Sequence, residues 1–389
     1  MRIGMLAAGL AVSAEMMLYG SEPLGKALKL YLDCDNTTLP CKDLRPIASQ
    51  RTIRLAEGRF GQAYRLERTT RNRIDPKGWI LDGAVKNSTD GSILEFTGNG
   101  TAAQAFFDLP GGPNALSFRC SGNGKLIVKT RSAGQEKQVA EWTVSPQERS
   151  GLAVLDFNGN EGVAVLEASG QLKLSEIMLD AGIGYPVSYV APGQQRPCDG
   201  LRLDHADRYF DLRQGSFICW LNAPWLQKET CGGATSFLNI LSSPAVRKYN
   251  SDNIALGVWN SMPRTPGEKS YLAVMMKDET GRGGGGVTAP ESELFDPAPW
   301  RHVVLNWQYA DGKMTVELIL DGGRKRFKNT AGYVPGPKPL YGHIGLVYDQ
   351  VALNGLIDEI AVFSRTLTED EIKTIYSSDK PLKELLEGK

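Results

Sequence analysis

The chain has 389 residues, and its 44 basic and 44 acidic side chains cancel. A single hydrophobic core rarely grows beyond about 200 to 250 residues, so we expect two domains. A chain without net charge has no overall field that attracts nucleic acid or an anionic membrane. The 43 glycines and 21 prolines separate short apolar runs, which indicates strands joined by turns rather than long helices.

The N-terminus is typical of a secretory signal peptide. Arg2 is followed by an apolar stretch from Ile3 to Ala11 and by the small-residue pattern Val12-Ser13-Ala14. We expect cleavage after residue 14 and a secreted or periplasmic protein. The alternative is a buried N-terminal strand or helix. No later stretch reaches the ~20 apolar residues of a membrane-spanning helix, so no membrane span is expected.

The even number of cysteines fits an oxidising compartment, in which they could pair. They are Cys34, Cys41, Cys120, Cys198, Cys219 and Cys231. Cys34 with Cys41 and Cys219 with Cys231 each bracket a short loop and could form disulfides, but six cysteines allow 15 connectivities. Free buried cysteines are the alternative. No CxxC spacing occurs and the chain has three histidines, so no zinc site is expected.

The C-terminal half contains four strand-like runs in a characteristic order: Phe217 to Trp220, Trp300 to Trp307, Leu318 to Gly322 and Gly355 to Ile372. The last run includes Thr368 and Glu371, which have the spacing of a capping box and predict a short helix. Together the four runs resemble the laminin-G-like jelly roll, a concanavalin A-like domain of secreted bacterial and phage proteins. The resemblance implies an all-β sandwich fold over residues 200–380.

Two N-terminal runs, Leu28 to Asp35 and Gly58 to Leu66, resemble the opening strands of the same family, so residues 26–70 are expected to complete the jelly roll. The stretch between, residues 75–191, again alternates short β-prone runs with turns. We expect it to be an inserted second β-sandwich. The run from Ser169 to Asp180 resembles the closing strands of a galactose-binding-like carbohydrate module. The predicted fold class is therefore all-β, a concanavalin-like jelly roll interrupted by a second sandwich.

The run Ile357-Asp358-Glu359-Ile360 suggests a calcium site. Strand alternation puts Ile357 and Glu359 on one face and Asp358 and Ile360 on the other. The family resemblance places the first strand beside this run, which would bring Asp33 and Asp35 near these carboxylates. Several oxygen ligands at a sandwich edge suit Ca²⁺. In the alternative, the carboxylates cap backbone amides or pair with an arginine such as Arg365.

Aromatic residues in turn-rich segments predict a carbohydrate-binding surface, because a flat ring covers the apolar face of a pyranose. The candidates are Trp259, Tyr271, Tyr333, Tyr341 and Tyr348. Ordinary packing is the alternative for each of them. Trp220, Trp300 and Trp307 fall in the family's strands and are expected in the core.

No catalytic residues are predicted. The chain has neither a clustered Glu-x-Asp-x-x-Glu strand nor a Gly-x-Ser-x-Gly nucleophile elbow. We therefore expect a secreted, non-catalytic protein that binds a glycan or an extracellular matrix polymer. One alternative is a polysaccharide hydrolase with carboxylates from separate loops. Another is a structural adhesin or phage-tail-type component that binds protein.

Overall fold

The computed structural model describes residues 22–47, 53–109, 113–132, 134–157, 159–223, 235–241, 253–259, 271–277, 283–290, 300–332, 334–335, 339–347 and 351–387. The predicted signal peptide lies outside these residues. In the described part of the chain, none of the helices has the length and apolar character needed to cross a bilayer.

Strands dominate the chain. The N-terminal part contains helix α1 (Leu24–Ala27) and the strands β1 (Leu28–Leu32), β2 (Leu44–Pro46), β3 (Arg54–Glu57), β4 (Gln62–Leu66) and β5 (Thr70–Arg71). Six longer strands follow: β6 (Ile80–Asn87), β7 (Leu94–Phe106), β8 (Asn114–Ser132), β9 (Gln135–Val144), β10 (Arg149–Leu155) and β11 (Gly162–Ala181).

Among the described residues, the C-terminal part contains the remaining strands and two α-helices. The strands are β12 (Gln195–Arg196), β13 (Leu201–Asp204), β14 (Gln214–Asn222), β15 (Thr235–Leu241), β16 (Asn253–Trp259), β17 (Tyr271–Lys277), β18 (Gly283–Ala289), β19 (Arg301–Ala310), β20 (Lys313–Leu320), β21 (Lys325–Ala331), β22 (Tyr341–Ile344), β23 (Leu346–Val347), β24 (Val351–Ala352) and β25 (Gly355–Phe363). The helices are α2 (Glu369–Ser377) and α3 (Leu382–Glu387).

Two large antiparallel sheets share one hydrophobic core. The eight-stranded sheet has the order β21-β20-β19-β14-β25-β4-β3, and β1 also pairs with β25. The seven-stranded sheet has the order β18-β17-β16-β15-β22-β13-β2. Phe217 and Leu305 from the first sheet and Leu256 and Val274 from the second lie in one buried cluster. The predicted all-β sandwich class is confirmed.

The N-terminal strand lies next to the C-terminal one, as the family resemblance implies. Leu30 is opposite Val362 and Leu32 is opposite Ile360 in the β1–β25 ladder. β4 pairs with the first residues of β25 along the same edge, with Tyr64 opposite Ile357. Both ends of the chain therefore contribute to the jelly-roll core.

A β-bulge at Glu359 changes the predicted facing of β25. Glu359 has a φ of 51°, and the register against β14 shifts between Ile218 and Trp220. Two residues of β25 therefore stand opposite one residue of β14. Ile357 and Ile360 both point into the core between the sheets. The prediction that Asp358 shares a face with Ile360, and Glu359 with Ile357, is wrong, because the bulge turns both carboxylates to the outer face.

Residues 80–181 form a separate six-stranded sheet with the order β10-β8-β11-β7-β6, in which β9 pairs with β8. Its strands contribute to a separate hydrophobic cluster, which includes Phe96, Leu126 and Leu166. The short runs expected from the sequence merge into long strands here. β8 and β11 continue through Gly124 and Gly170, which stand opposite each other and have φ values of 158° and 96°. A Cβ at Gly124 would lie 2.0 Å from the Ser169 carbonyl oxygen, so only glycine fits.

Helices α1, α2 and α3 cover the outer face of the eight-stranded sheet, where Ala361 and Phe363 pack against Ile372 and Leu382. The predicted capping box is confirmed. The Thr368 hydroxyl accepts a hydrogen bond from the Glu371 amide at 3.2 Å, and the Glu371 carboxylate accepts one from the Thr368 amide at 2.8 Å.

The predicted Cys34–Cys41 disulfide is not formed, since both residues are free thiols. Cys34 has a φ of 62°, which directs its side chain into the core between the two sheets. Its Sγ contacts the Leu32 carbonyl oxygen at 3.7 Å, and burial raises its pKa well above the ordinary value. Cys219 is likewise a free thiol, and Cys231, with which it was expected to pair, lies outside the described residues.

Candidate functional site

Three of the five residues of the predicted aromatic surface lie in described strands, and Tyr341 is distant from the other two along the sheet. Trp259 and Tyr271 stand opposite each other in the β16–β17 ladder. Tyr341 is aligned with Leu241 and Asn253, at the other end of β16. At the usual rise per residue the two ends are about 20 Å apart. The Tyr341 ring is half-buried, and the Arg202 guanidinium carbon lies 4.2 Å from its centroid. Tyr333 and Tyr348 lie outside the described residues.

A different group of aromatic residues lines a cavity of about 360 Å³ on the outer face of the eight-stranded sheet, beside α2. We call it the aromatic cavity. Its lining residues are Arg59, Trp220, Trp300 and Tyr376. They come from the β3–β4 turn, from β14, from the residue before β19 and from α2. The fold therefore brings together four residues that are far apart in the sequence.

Trp220 forms the rear wall of this cavity. It is 4% exposed, and its ring lies nearly parallel to that of Tyr376, with centroids 5.7 Å apart at 14°. The Arg59 guanidinium carbon lies 5.0 Å from the Trp220 centroid. Trp300 and Tyr376 are half-buried and Arg59 is exposed. Two aromatic rings and one guanidinium group therefore remain accessible to a ligand.

A neutral histidine supports the wall from behind. The His302 ring lies 4.9 Å from the Trp220 centroid and 5.8 Å from that of Tyr376. Burial lowers the pKa of His302 to about 3, so the imidazole carries no charge at neutral pH. Neither ring nitrogen has a hydrogen-bond partner among the described residues. The back of the aromatic cavity is therefore uncharged at neutral pH.

Asp358 fixes the turn that carries Arg59. Its Oδ2 accepts hydrogen bonds from the Arg59 and Phe60 amides at 2.8 and 3.1 Å, and its Oδ1 accepts one from the Glu359 amide at 2.8 Å. The side chain is fully buried, and this burial raises the pKa of Asp358 to about 7. Asp358 thus positions a wall of the cavity without lining it.

The other predicted calcium ligands also accept hydrogen bonds from the protein. Glu359 accepts one from the Tyr31 hydroxyl at 2.7 Å and one from the Leu382 amide at 2.5 Å. Asp33 accepts one from the Asp35 amide at 3.2 Å, and Asp35 accepts one from the Gln62 amide at 2.7 Å. In the described part of the chain, no group of three or more His, Cys, Asp or Glu side chains is arranged to hold a metal ion.

These contacts match the alternative in which the carboxylates cap backbone amides, and calcium binding stays a prediction. The suggested pairing with Arg365 is wrong, because Arg365 forms a two-pronged contact with Glu371 at 2.7 and 2.9 Å.

Sequence reasoning missed the aromatic cavity because it assigned three tryptophans to the core by their strand positions. Trp307 does lie in the core, at 1% exposure. Trp220 lies on the opposite face of β14 from Phe217 and Leu221, both of which fill the core. The alternation of β14 is the signal that separates the two faces.

The C-terminal part of the chain matches a known protein family. Residues 242–373 match the family model described as the concanavalin A-like lectin/glucanases superfamily. The resemblance of this part to that jelly roll is therefore confirmed. No curated protein matches the chain.

Several solved structures are similar at low identity. The binding domain of botulinum neurotoxin serotype D is 13% identical with a TM-score of 0.32, and the match covers 46% of this chain and 40% of that one. Domain 4 of AbnA, an extracellular arabinanase from Geobacillus stearothermophilus in complex with arabinotriose, is 16% identical with a TM-score of 0.31, covering 51% and 82%. A tailspike protein of Escherichia coli O157:H7 bacteriophage CAB120 is 14% identical with a TM-score of 0.31, covering 48% and 25%.

Proposed function

We propose that this protein is an exported, non-catalytic binding protein for carbohydrate, and that the aromatic cavity holds sugar rings of a glycan or extracellular polymer. The observation that carries the proposal is the lining of the cavity by Arg59, Trp220, Trp300 and Tyr376. Aromatic faces pack against the C–H surface of a pyranose, and a guanidinium group donates hydrogen bonds to its hydroxyls. The cavity volume of about 360 Å³ is within the range of ligand pockets, roughly 300 to 1,000 Å³.

The family model supports the same proposal, since its superfamily description includes lectins. Export is part of the proposal and rests on Arg2, the apolar stretch after it and the small residues before Glu15. A secreted protein meets glycans and matrix polymers at the cell exterior, where a rigid aromatic cavity would bind them.

A hydrolase is the competing function. Glycoside hydrolysis needs two carboxyl groups about 5 to 10 Å apart in a cleft that the sugar can enter. The described residues that line the aromatic cavity include no acidic side chain. Asp358 lies behind the Arg59 turn, and backbone amides occupy both of its oxygens. The geometry therefore favours binding over cleavage.

A glycan array with the intact protein and its Trp300→Ala variant tests the proposal. Removing a stacking ring should weaken binding roughly tenfold, because such contacts contribute on the order of 1 kcal/mol beyond simple burial. Trp142→Ala is the matched control, since Trp142 is also half-buried but packs against Phe118 in the middle sheet, with centroids 5.3 Å apart.

Equal glycan binding by the intact protein and Trp300→Ala would contradict the proposed site. A parallel assay for reducing ends should detect no release from any polymer that binds. Release of reducing sugar would favour the hydrolase instead.

A further inference from the structure

A second cavity, of about 370 Å³, lies where β5 and β12 meet the end of β11. We call it the arginine pocket. The residues that line it are Arg68, Thr69, Arg71, Arg73, Asp180, Ala181 and Gln195. It is located at the seam between the jelly roll and the middle sheet, and it shares no lining residue with the aromatic cavity.

The segment that carries the arginines is held rigidly. Thr70 and Asn72 are buried, at 0% and 1% exposure. The Asn72 amide group donates to the Ile177 and Val190 carbonyl oxygens and accepts from the Ile74 and Leu179 amides, at 2.8 to 3.2 Å. Its hydrogen-bonding capacity is therefore fully used.

Because alternate residues of an extended segment point to opposite sides, Arg71 and Arg73 face away from the buried Thr70 and Asn72 and towards the pocket. β5 also pairs with β12, with Arg71 opposite Gln195. The two guanidinium groups are thus presented by a backbone that does not have to reorganise when a ligand binds.

The protein offsets the positive charge of the pocket only in part. Arg54, Arg65 and Arg196 nearby all contact Glu67, at 3.1, 2.7 and 2.5 Å. In contrast, Arg68 donates to the Thr69 carbonyl oxygen at 3.2 Å. Among the described residues, the guanidinium groups of Arg68, Arg71 and Arg73 form no ion pair with a carboxylate.

Asp180 is the acidic side chain in the lining of the pocket. It is 3% exposed, and its Oδ2 has no hydrogen-bond partner among the described residues. Burial raises the pKa of Asp180 to about 6, against the opposing effect of Arg68 and Arg73. Even when Asp180 is ionised, three guanidinium groups face one carboxylate, and the pocket keeps a net positive charge.

We propose that the arginine pocket binds an oxyanion group, such as a sulfate or carboxylate, carried by an acidic polysaccharide. Guanidinium groups present several N–H donors in a plane that matches two oxygens of such a group. Oxyanion binding follows from the pocket itself. That a polysaccharide carries the oxyanion rests on the proposed function. If both hold, the polymer that this protein prefers is an acidic one.

Calorimetric titration with dextran sulfate, neutral dextran and sodium sulfate at constant ionic strength tests this. The intact protein should bind dextran sulfate but not neutral dextran. Arg71→Gln and Arg73→Gln should each weaken dextran sulfate binding roughly tenfold, since a hydrogen bond to a charged group is lost. Asp180→Asn removes the opposing charge and should strengthen binding several-fold. Arg149→Gln is the matched control, because Arg149 is exposed on β10 and lies outside the pocket.

Three outcomes would overturn the proposal in whole or in part. If the intact protein binds neither dextran sulfate nor sodium sulfate, there is no oxyanion site. If Arg149→Gln weakens binding as much as Arg71→Gln, the attraction is general surface charge. If sodium sulfate binds as tightly as each sulfate group of the polymer, the oxyanion site stands and the polymer source is wrong. Sodium sulfate has no sugar ring, so Trp300→Ala should leave sodium sulfate binding unchanged, and failure of the aromatic cavity is distinguishable from failure of the arginine pocket.

Discussion

The buried carboxyl of Glu359 makes the stability of the jelly roll depend on pH, and Glu359→Gln tests this dependence. Glu359 is 3% exposed and lies between the Tyr31 hydroxyl of β1 and the Leu382 amide of α3. Burial raises its pKa from 4.5 to about 7, and the negative charges of Asp33 and Asp35 act in the same direction. A glutamine has nearly the same shape and hydrogen-bonding reach, but it does not ionise.

The direction in which stability changes with pH follows from proton binding by the folded and unfolded chains. Between pH 4.5 and 7 the folded chain keeps the Glu359 proton that the unfolded chain has released. The free energy of unfolding must therefore fall as pH rises through this window and level off above it. At about 1.4 kcal/mol per pKa unit, the difference between the two pKa values corresponds to roughly 3 kcal/mol. Asp358 acts in the same direction, and the Glu359 charge contributes to its raised pKa, so the difference between wild type and variant reports Glu359 together with its coupling to Asp358.

Guanidinium chloride unfolding, followed by tryptophan fluorescence from pH 4.5 to 8, measures this difference. The free energy of unfolding of Glu359→Gln, taken relative to that of wild type, should increase by up to roughly 3 kcal/mol from the lowest to the highest pH. Glu57→Gln is the control, because it removes the same charge from an exposed position of the same sheet. A wild-type-to-variant difference that stays constant over this range would refute the reasoning.

Further outcomes can be measured directly. Gly322→Ala should weaken glycan binding, because its Cβ would lie 2.3 Å from the Tyr376 ring, whereas Gly323→Ala, also at positive φ but with no contact under 3.6 Å, should retain it. If the four predicted carboxylates bind calcium, Tm should be higher in Ca²⁺ than in EDTA, and an unchanged Tm would favour amide capping. Protein recovered from the medium or periplasm should begin at or near Glu15, and an intact N-terminus in cytoplasmic protein would contradict export. Replacing residues 75–191 by a short Gly-Ser bridge should leave the jelly roll cooperatively folded, since β5 and β12 hold the ends of that segment side by side, and loss of cooperative unfolding would contradict this.

Much of the fold could be predicted because its signals are local. The alternation from Thr315 to Leu320 predicts β20, and the Thr368 and Glu371 spacing predicts the start of α2. The run from Leu28 to Asp35 resembles a strand of the family. This resemblance predicts the β1–β25 pairing, which propensity alone does not specify. In the middle sheet, the glycines predict turns but continue the strands, because neighbouring ladders hold them at positive φ.

The sequence by itself determined the all-β class and the helix cap, since periodicity and capping depend on residues a few positions apart. The strands that complete the jelly roll followed from the family resemblance. Only the tertiary structure decided the bulge at Glu359, where β4 and β1 share one edge of β25 and strict alternation cannot continue through both ladders. It alone brought Arg59, Trp220 and Tyr376 around one cavity. It also determined that, within the described part of the chain, Arg71 and Arg73 form no ion pair like that of Arg196 with Glu67. Such proximity depends on long-range packing, and no local pattern encodes it.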